Sequence, residues 1–175
     1  MKLSVLLRRF FVPGWMVTLL CLLRNRSKIS PRAEVELSSN LQLGRECVVG
    51  SFTKIKTSGG PMRIGAGVHI ATGCHLSSES AGLSIGDGTV VGPNCVILNS
   101  GYNTQAIGVS VSEQGFTSKG TRIGKNVFLG ANTVVLDGAD IGDDVIVAPN
   151  SMIFGHIAQR SFVMGNPAKV IYKRR

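Results

Sequence analysis

The side chains of this 175-residue chain best suited to proton transfer are few: three histidines, His69, His75 and His156. Nothing between 76 and 155 is histidine, which matters because imidazole is the group that changes charge most readily near neutral pH. The four cysteines, Cys21, Cys47, Cys74 and Cys95, form no CxxC pair. The remaining polar functionality is concentrated in one stretch, "ILNSGYNTQAIGVSVSEQGFTSKGTRIG", Ile97 to Gly124. It offers hydroxyls at Ser100, Tyr102, Ser110 and Ser112, a carboxylate at Glu113, an amide at Gln114 and an amine at Lys119, with Phe116 as an apolar contact. Such a set can hold a polar substrate, donate hydrogen bonds and, through Glu113, take up a proton.

These residues are carried on a repeat. An aliphatic residue recurs at 43, 49 and 55; at 64, 70 and 76; at 85, 91 and 97; at 123, 129 and 135; and at 141, 147 and 153. The next residue is Gly44, Gly50, Gly65, Ala71, Gly86, Gly92, Gly124, Gly130, Gly142 or Ala148 in ten of the fifteen cases. The position four after the aliphatic is small or branched, as at Cys47, Thr53, Val68, Cys74, Thr89 and Cys95. A six-residue beat fits neither the 3.6 of an amphipathic helix nor the 2 of an isolated strand. It fits a solenoid of short strands with a glycine-assisted corner at every sixth residue. Extra residues fall at 61–63, 82–84 and 103–122, always after the third hexad of a turn, so all emerge at one corner of a three-sided prism. A loop of twenty residues without pattern inside a compact domain is usually functional.

The count also places the histidines. His69 and His75 fall at different corners of the second turn, which argues against the convergence a zinc site needs; no metal is expected. His156 falls at the end of the third face, about 10 Å, or two strand spacings, from Tyr102 in the same column. The cysteines at the small buried phase read as apolar core residues, and reduced core thiols fit the cytoplasm.

The formal charge is +9, but it belongs to the ends. Residues 1–32 hold Lys2, Arg8, Arg9, Arg24, Arg26, Lys28 and Arg32 and no acid; residues 160–175 hold Arg160, Lys169, Lys173, Arg174 and Arg175 and no acid. Aromatic and basic residues do not alternate as in a base-stacking groove, so nucleic-acid binding is not expected. The run from Phe10 to Leu23 is apolar and flanked by arginines. It is too short to span a bilayer, which takes about 20 residues, and Pro13-Gly14 would kink or break a helix. Two readings stay open: an interfacial anchor on anionic lipid at the inner face of the cytoplasmic membrane, or an arm folded against the protein or a neighbouring subunit. The expected organisation is an N-terminal arm or membrane-interface segment over 1–28, the solenoid over 29–160 with its loop at 103–122, and a basic tail over 161–175.

With these blocks in place, "IGKNVFLGAN", "IGDDVIVAPNS" and "GNPAKVI" in the C-terminal third resemble the hexapeptide-repeat acyltransferases, including surface-polysaccharide O-acetyltransferases, over residues 29–175. The resemblance implies an all-β fold, a left-handed parallel β-helix with an apolar N-terminal arm or helix. It implies a homotrimer with active sites between subunits, and transfer of an acyl group, acetyl above all, from acetyl-CoA to a hydroxyl or amine of a saccharide or lipid-linked saccharide. The loop at 103–122 matches the arm that covers the acceptor in that family. The family's histidine base, just before the arm, is replaced: Ser100 and Tyr102 stand in its two positions. A phenol is a weak base at neutral pH but a reasonable donor to a developing oxyanion, and Glu113 is the carboxylate that could act as base from the arm. For the donor, the resemblance assigns Phe128 as an apolar wall, Gly130, Ala131 and Ala148 as small residues along the pantetheine path, and Lys169 near the phosphates. The family's Thr-Lys pair on the last turn reads Phe154-Gly155 here, and Ala148-Pro149-Asn150 stands where Gly-Ala-Gly is common. These departures keep a second reading open: a homologue without catalysis that serves as a binding or scaffolding subunit.

Overall fold

The computed structural model describes residues 13–57 and 59–175. The N-terminal arm expected over 1–28 therefore lies partly outside the described residues, including Lys2, Arg8, Arg9, Phe10 and Phe11.

The chain winds into a coil with three parallel faces. The first face stacks Leu41–Leu43, Met62–Ile64, Leu83–Ile85, Thr121–Ile123, Asp140–Ile141 and His156–Ile157. The second begins at Lys28–Ile29 and runs through Val48–Val49, His69–Ile70, Val90–Val91, Phe128–Leu129, Ile146–Val147 and Ser161–Gly165. The third carries Glu34–Val35, Lys54–Lys56, His75–Ser77, Val96–Ile97, Val134–Val135 and Met152–Ile153. The aliphatics of successive turns are in register: Ile85 pairs with Ile123, Val91 with Leu129, and Ile97 with Val135. They form the core, every one buried except the half-buried Leu43. Full burial of one such side chain is worth about 1.5–3 kcal/mol, and the stack repeats that gain on every rung.

Two features of the corners differ from a simple reading of the beat. The glycine after each aliphatic does not supply positive φ. Left-handed backbone falls two residues later, at Phe52, Asn94, Asn126, Asn132, Asp144 and Asn150 among others, where asparagine and aspartate tolerate it. The glycine is there because the next turn's backbone lies against it, as at Gly86. Of the small residues at the fourth position, buried throughout, the threonines, cysteines and Ser151 also satisfy corner carbonyls. Thr53 and Thr89 donate to the carbonyls of Ala71 and Gly124 at 2.7 and 2.8 Å. Cys47, Cys74 and Cys95 donate their S–H to Gly65, Gly92 and Gly130 at 3.1–3.2 Å. Burial raises the Cys95 thiol to about 11, so it stays protonated and able to donate.

The coil is longer than the beat. Ile29 and Val35 precede it and Ile157 and Val163 extend it, all in register with the core. They escape a six-residue count because the third corner changes length, the spacing being eight from Val35 to Leu43 and four from Ile153 to Ile157. The last strand, Ala168–Lys173, turns back antiparallel on Ser161–Gly165, with Phe162 and Tyr172 stacked at 5.0 Å.

At the N-terminal end a helix, α1, spans Gly14–Asn25. Pro13 sits at its N-cap, where a proline interrupts no intrahelical hydrogen bond. Val17 and Cys21 are buried against the end of the coil, Thr18 donates to the Ile29 carbonyl at 2.8 Å, and Asn25 to that of Leu43 at 2.7 Å. The rest of α1 is uncovered: Trp15 is 61% exposed, Leu19 49%, Leu20 49% and Leu23 77%. No helix among the described residues is long and apolar enough to cross a membrane.

Candidate active site

The arm leaves the third face after Ile97 and rejoins the first face at Thr121–Ile123. At its root Asn99 is fully buried and acts as a clamp. Its Oδ1 accepts the Glu79 amide at 2.7 Å and its Nδ2 donates to the Glu79 carbonyl at 3.3 Å. Gly101–Tyr102 then pairs antiparallel with Phe116–Thr117, and the Tyr102 and Phe116 rings lie 4.4 Å apart. Gln114 ties the tip together through Ala106 and Val109, and the turn Val111–Glu113 is a single 3-10 turn. On the return leg the amides of Lys119 and Gly120 bond to the Asp137 carboxylate. The arm is thus an ordered hairpin, hydrogen-bonded at root, middle and return.

Tyr102 and Ser100 both stand at the root of this hairpin, Tyr102 exposed and Ser100 half-buried. Glu113 is on the tip turn, exposed, with no ion-pair partner among the described residues. The structure therefore joins Tyr102 with Phe116 and leaves Glu113 apart on the tip.

The expected donor residues fall on the second face and its corner. Phe128 points outward, 43% exposed, in a column with Val90 before it and Ile146 and Phe162 after it. This apolar strip is longer than the single wall read from Phe128. Gly130 and Ala131 lie at the corner after it, with Ala148 on the next turn. Lys169 is exposed on the closing antiparallel strand.

The histidines are separated. His69 is exposed on the second face, and His75 lies on the third, where burial, with Lys56 and Lys54 nearby, lowers its imidazole below the ordinary range. No group of three metal-ligating side chains occurs among the described residues. His156 is not where the count puts it. The shortened corner between Ile153 and Ile157 delivers it to the first face, directly after Asp140 in the ladder and away from the end of the third face. Its Nδ1 lies 3.0 Å from Asp140 Oδ2, while Asp140 Oδ1 pairs with Arg122 Nε. The Arg122 hydrogen bond, with smaller help from His156, holds the Asp140 carboxyl below the usual range. Beside this row a cleft opens on the first face, lined by Arg63, Ser84, Lys119, Thr121, Arg122 and Asp140, so that the arm's return leg forms one wall. Sequence reasoning missed this grouping. Its only sequence signal is the departure from six-residue spacing after Ile153.

Comparison with known proteins agrees with this architecture. Residues 120–155 match the family described as bacterial transferase hexapeptide (six repeats), and the chain resembles the hexapeptide-repeat acyltransferases. Among relatives, "Probable acetyltransferase Rv3034c" of Mycobacterium tuberculosis is 26% identical over 137 residues, 78% of this chain and 45% of that protein. Carnitine operon protein CaiE of Escherichia coli (strain K12) is 31% identical over 120 residues, 64% of this chain and 59% of that one. The chain thus spans about half the length of these relatives. Among solved structures, the N-acyltransferase AntD from Bacillus cereus, in complex with dTDP-4-amino-4,6-dideoxyglucose and coenzyme A, superposes with a TM-score of 0.76 at 17% identity. The match covers 86% of this chain and 82% of AntD. PerB from Caulobacter crescentus, in complex with CoA and GDP-perosamine, gives 0.64 at 23% identity, covering 83% and 57%. At these identities the structural likeness establishes the fold alone.

Proposed function

We propose that this chain is a CoA-dependent acyltransferase that moves an acyl group, acetyl in the simplest case, to a hydroxyl or amine of a saccharide in surface-glycan synthesis. In this reading it works as a homotrimer of left-handed coils. The observation that carries the proposal is the three-faced parallel coil, alike to AntD over most of both chains, with an ordered hairpin arm at one corner. The apolar strip of Val90, Phe128 and Ile146 suits the pantetheine, Gly130, Ala131 and Ala148 leave its path unobstructed, and Lys169 meets the phosphates. Tyr102, with Ser100 beside it, faces the acceptor from the arm's root, where its hydroxyl donates to the oxyanion that forms as the thioester is attacked. Glu113 meets the acceptor from the tip.

The competing reading, a scaffold without catalysis, draws on Ser100 and Tyr102 standing where the resembled enzymes carry histidine. Release of free thiol from acetyl-CoA with a panel of amino and hydroxy sugars separates the two. Wild type is expected to release thiol only when acceptor is present. Tyr102→Phe is expected to lower kcat by about 10²–10³-fold, the scale of one oxyanion donor. Glu113→Gln is expected to raise the acceptor KM while kcat is retained. Wild-type protein that is silent with every acceptor favours the scaffold, and an unchanged Tyr102→Phe rate removes Tyr102 from the site.

We also infer that α1 is an interfacial anchor bringing the site to a membrane-bound acceptor at the cytoplasmic face. Trp15, Leu19, Leu20 and Leu23 are exposed on it, and Arg24, Arg26, Lys28 and Arg32 follow without an acid until Glu34; apolar burial plus cationic flanks is what binds anionic lipid. The protein is expected to sediment with phosphatidylglycerol vesicles at low salt and much less with phosphatidylcholine, while Leu19→Glu combined with Leu23→Glu abolishes sedimentation. A variant that sediments as well as wild type contradicts the anchor.

A further inference from the structure

The acyl-transfer reading leaves one chemical need unmet: something held in place must take the acceptor's proton. Glu113 sits on an exposed turn, with no side-chain hydrogen bond or ion pair among the described residues. A second candidate lies on the first face, in the row Arg122, Asp140 and His156, which occupy the same column on three successive turns.

The hydrogen bonds decide the state of the imidazole. Arg122 pairs with one oxygen of Asp140 and His156 Nδ1 with the other. A carboxylate so paired is ionised, as its lowered titration range also indicates, and an ionised carboxylate can only accept. Nδ1 must therefore carry a hydrogen, and in the neutral ring Nε2 keeps its lone pair. Nε2 has no hydrogen-bond partner among the described residues, and the side chain is 66% exposed. The ring is held at one nitrogen and open at the other, the arrangement in which a carboxylate fixes a histidine's tautomer and steadies the imidazolium that forms. Asp140, to which the ring is bonded, also lines the cleft that the arm's return leg borders at Lys119 and Gly120. The side-chain cations of Arg63 and Lys119 in the cleft form no ion pair among the described residues.

Resting on the acyl-transfer reading, we propose that His156, oriented by Asp140, is the proton acceptor of the reaction, with the acyl acceptor bound in the first-face cleft. The acceptor's O–H or N–H proton passes to Nε2 as its oxygen or nitrogen bonds to the thioester carbonyl carbon. The tetrahedral adduct then collapses, the C–S bond breaks with its electron pair on sulfur, and Nε2–H returns the proton to that sulfur. The products are the acylated acceptor and free CoA thiol, with the imidazole restored. His156 is the catalytic residue in this scheme; Asp140 is a positioning residue, and Arg122 positions Asp140.

Three measurements on the full chain test the assignment. In the thiol-release assay, His156→Ala and His156→Gln are expected to lower kcat by about 10²–10⁴-fold, the usual worth of general-base catalysis. Their calorimetric affinity for acetyl-CoA and their melting temperatures should match wild type, since the side chain is mostly in solvent. In ¹⁵N–¹H spectra, the wild-type His156 ring is expected as the Nδ1–H tautomer, and Asp140→Asn should abolish that preference while lowering kcat more than it changes KM. His156 variants that turn over at the wild-type rate overturn the proposal and leave the acyl-transfer reading intact. A wild-type Nε2–H tautomer overturns it whatever the activity. Wild-type protein that releases no thiol with any acceptor removes the acyl-transfer reading, and this assignment falls with it.

Discussion

Gly86→Val is expected to cost about 3 kcal/mol or more and to lower the melting temperature by roughly 6–12 °C, on the scale of overpacking in a domain of this size. A Cβ at Gly86 would stand 2.6 Å from the Gly124 carbonyl carbon and 2.7 Å from both the Gly124 oxygen and the Lys125 nitrogen. All three are backbone atoms of the next turn, and no side chain can move aside to make room. Relief requires the two turns to separate, which lengthens the rung bonds Gly86 N to Ile123 O and Asn126 N to Asp87 O, both now 2.8–2.9 Å. The corner after the first face holds glycine on successive turns at Gly44, Gly65, Gly86, Gly124 and Gly142, whereas the next corner accepts Ala71 and Ala148. The penalty should therefore be large at Gly86 and smaller for Ala148→Val. Thermal denaturation followed by circular dichroism decides it, and equal melting temperatures for Gly86→Val and wild type contradict this account of the corners.

That glycine shows what the sequence could and could not convey. The six-residue beat identified the three faces, the core and the corner from which the arm leaves, because each depends on a repeated local pattern. The beat did not distinguish a glycine required for close approach from one required for positive φ, since both look the same in sequence. Asn94 and Asn132, two residues further on, carry the left-handed backbone. Nor did it show that Cys74 and Thr53 do the same work at a corner, because an S–H bonded to a carbonyl is invisible until the next turn is stacked on it.

The candidate site was legible to a lesser degree. The arm stood out as a break in the beat, and Tyr102 and Ser100 followed from the resemblance. That Asn99 clamps the arm's root through the Glu79 backbone needed coordinates. His156 was misplaced for a specific reason: counting in sixes past Ile153 carries it to the third face, while a corner two residues shorter sets it over Asp140. One shortened corner thus moved the most useful imidazole in the chain from one face to another. The Phe154-Gly155 departure and the Asp140–His156 pair are two aspects of the same local change.

The proposed function requires a donor site for acyl-CoA, and a thermal shift with acetyl-CoA tests it most directly. A ligand that binds only folded protein stabilises it by about 2.7 kcal/mol at one hundred times its Kd, which for a chain of this length is roughly 5–10 °C. Acetyl-CoA at saturating concentration is expected to raise the melting temperature by that amount, with Phe128→Ala and Lys169→Ala each moving the response to higher ligand concentration. A melting temperature that stays fixed up to millimolar acetyl-CoA contradicts the account, because a coil that does not bind the thioester cannot transfer its acyl group.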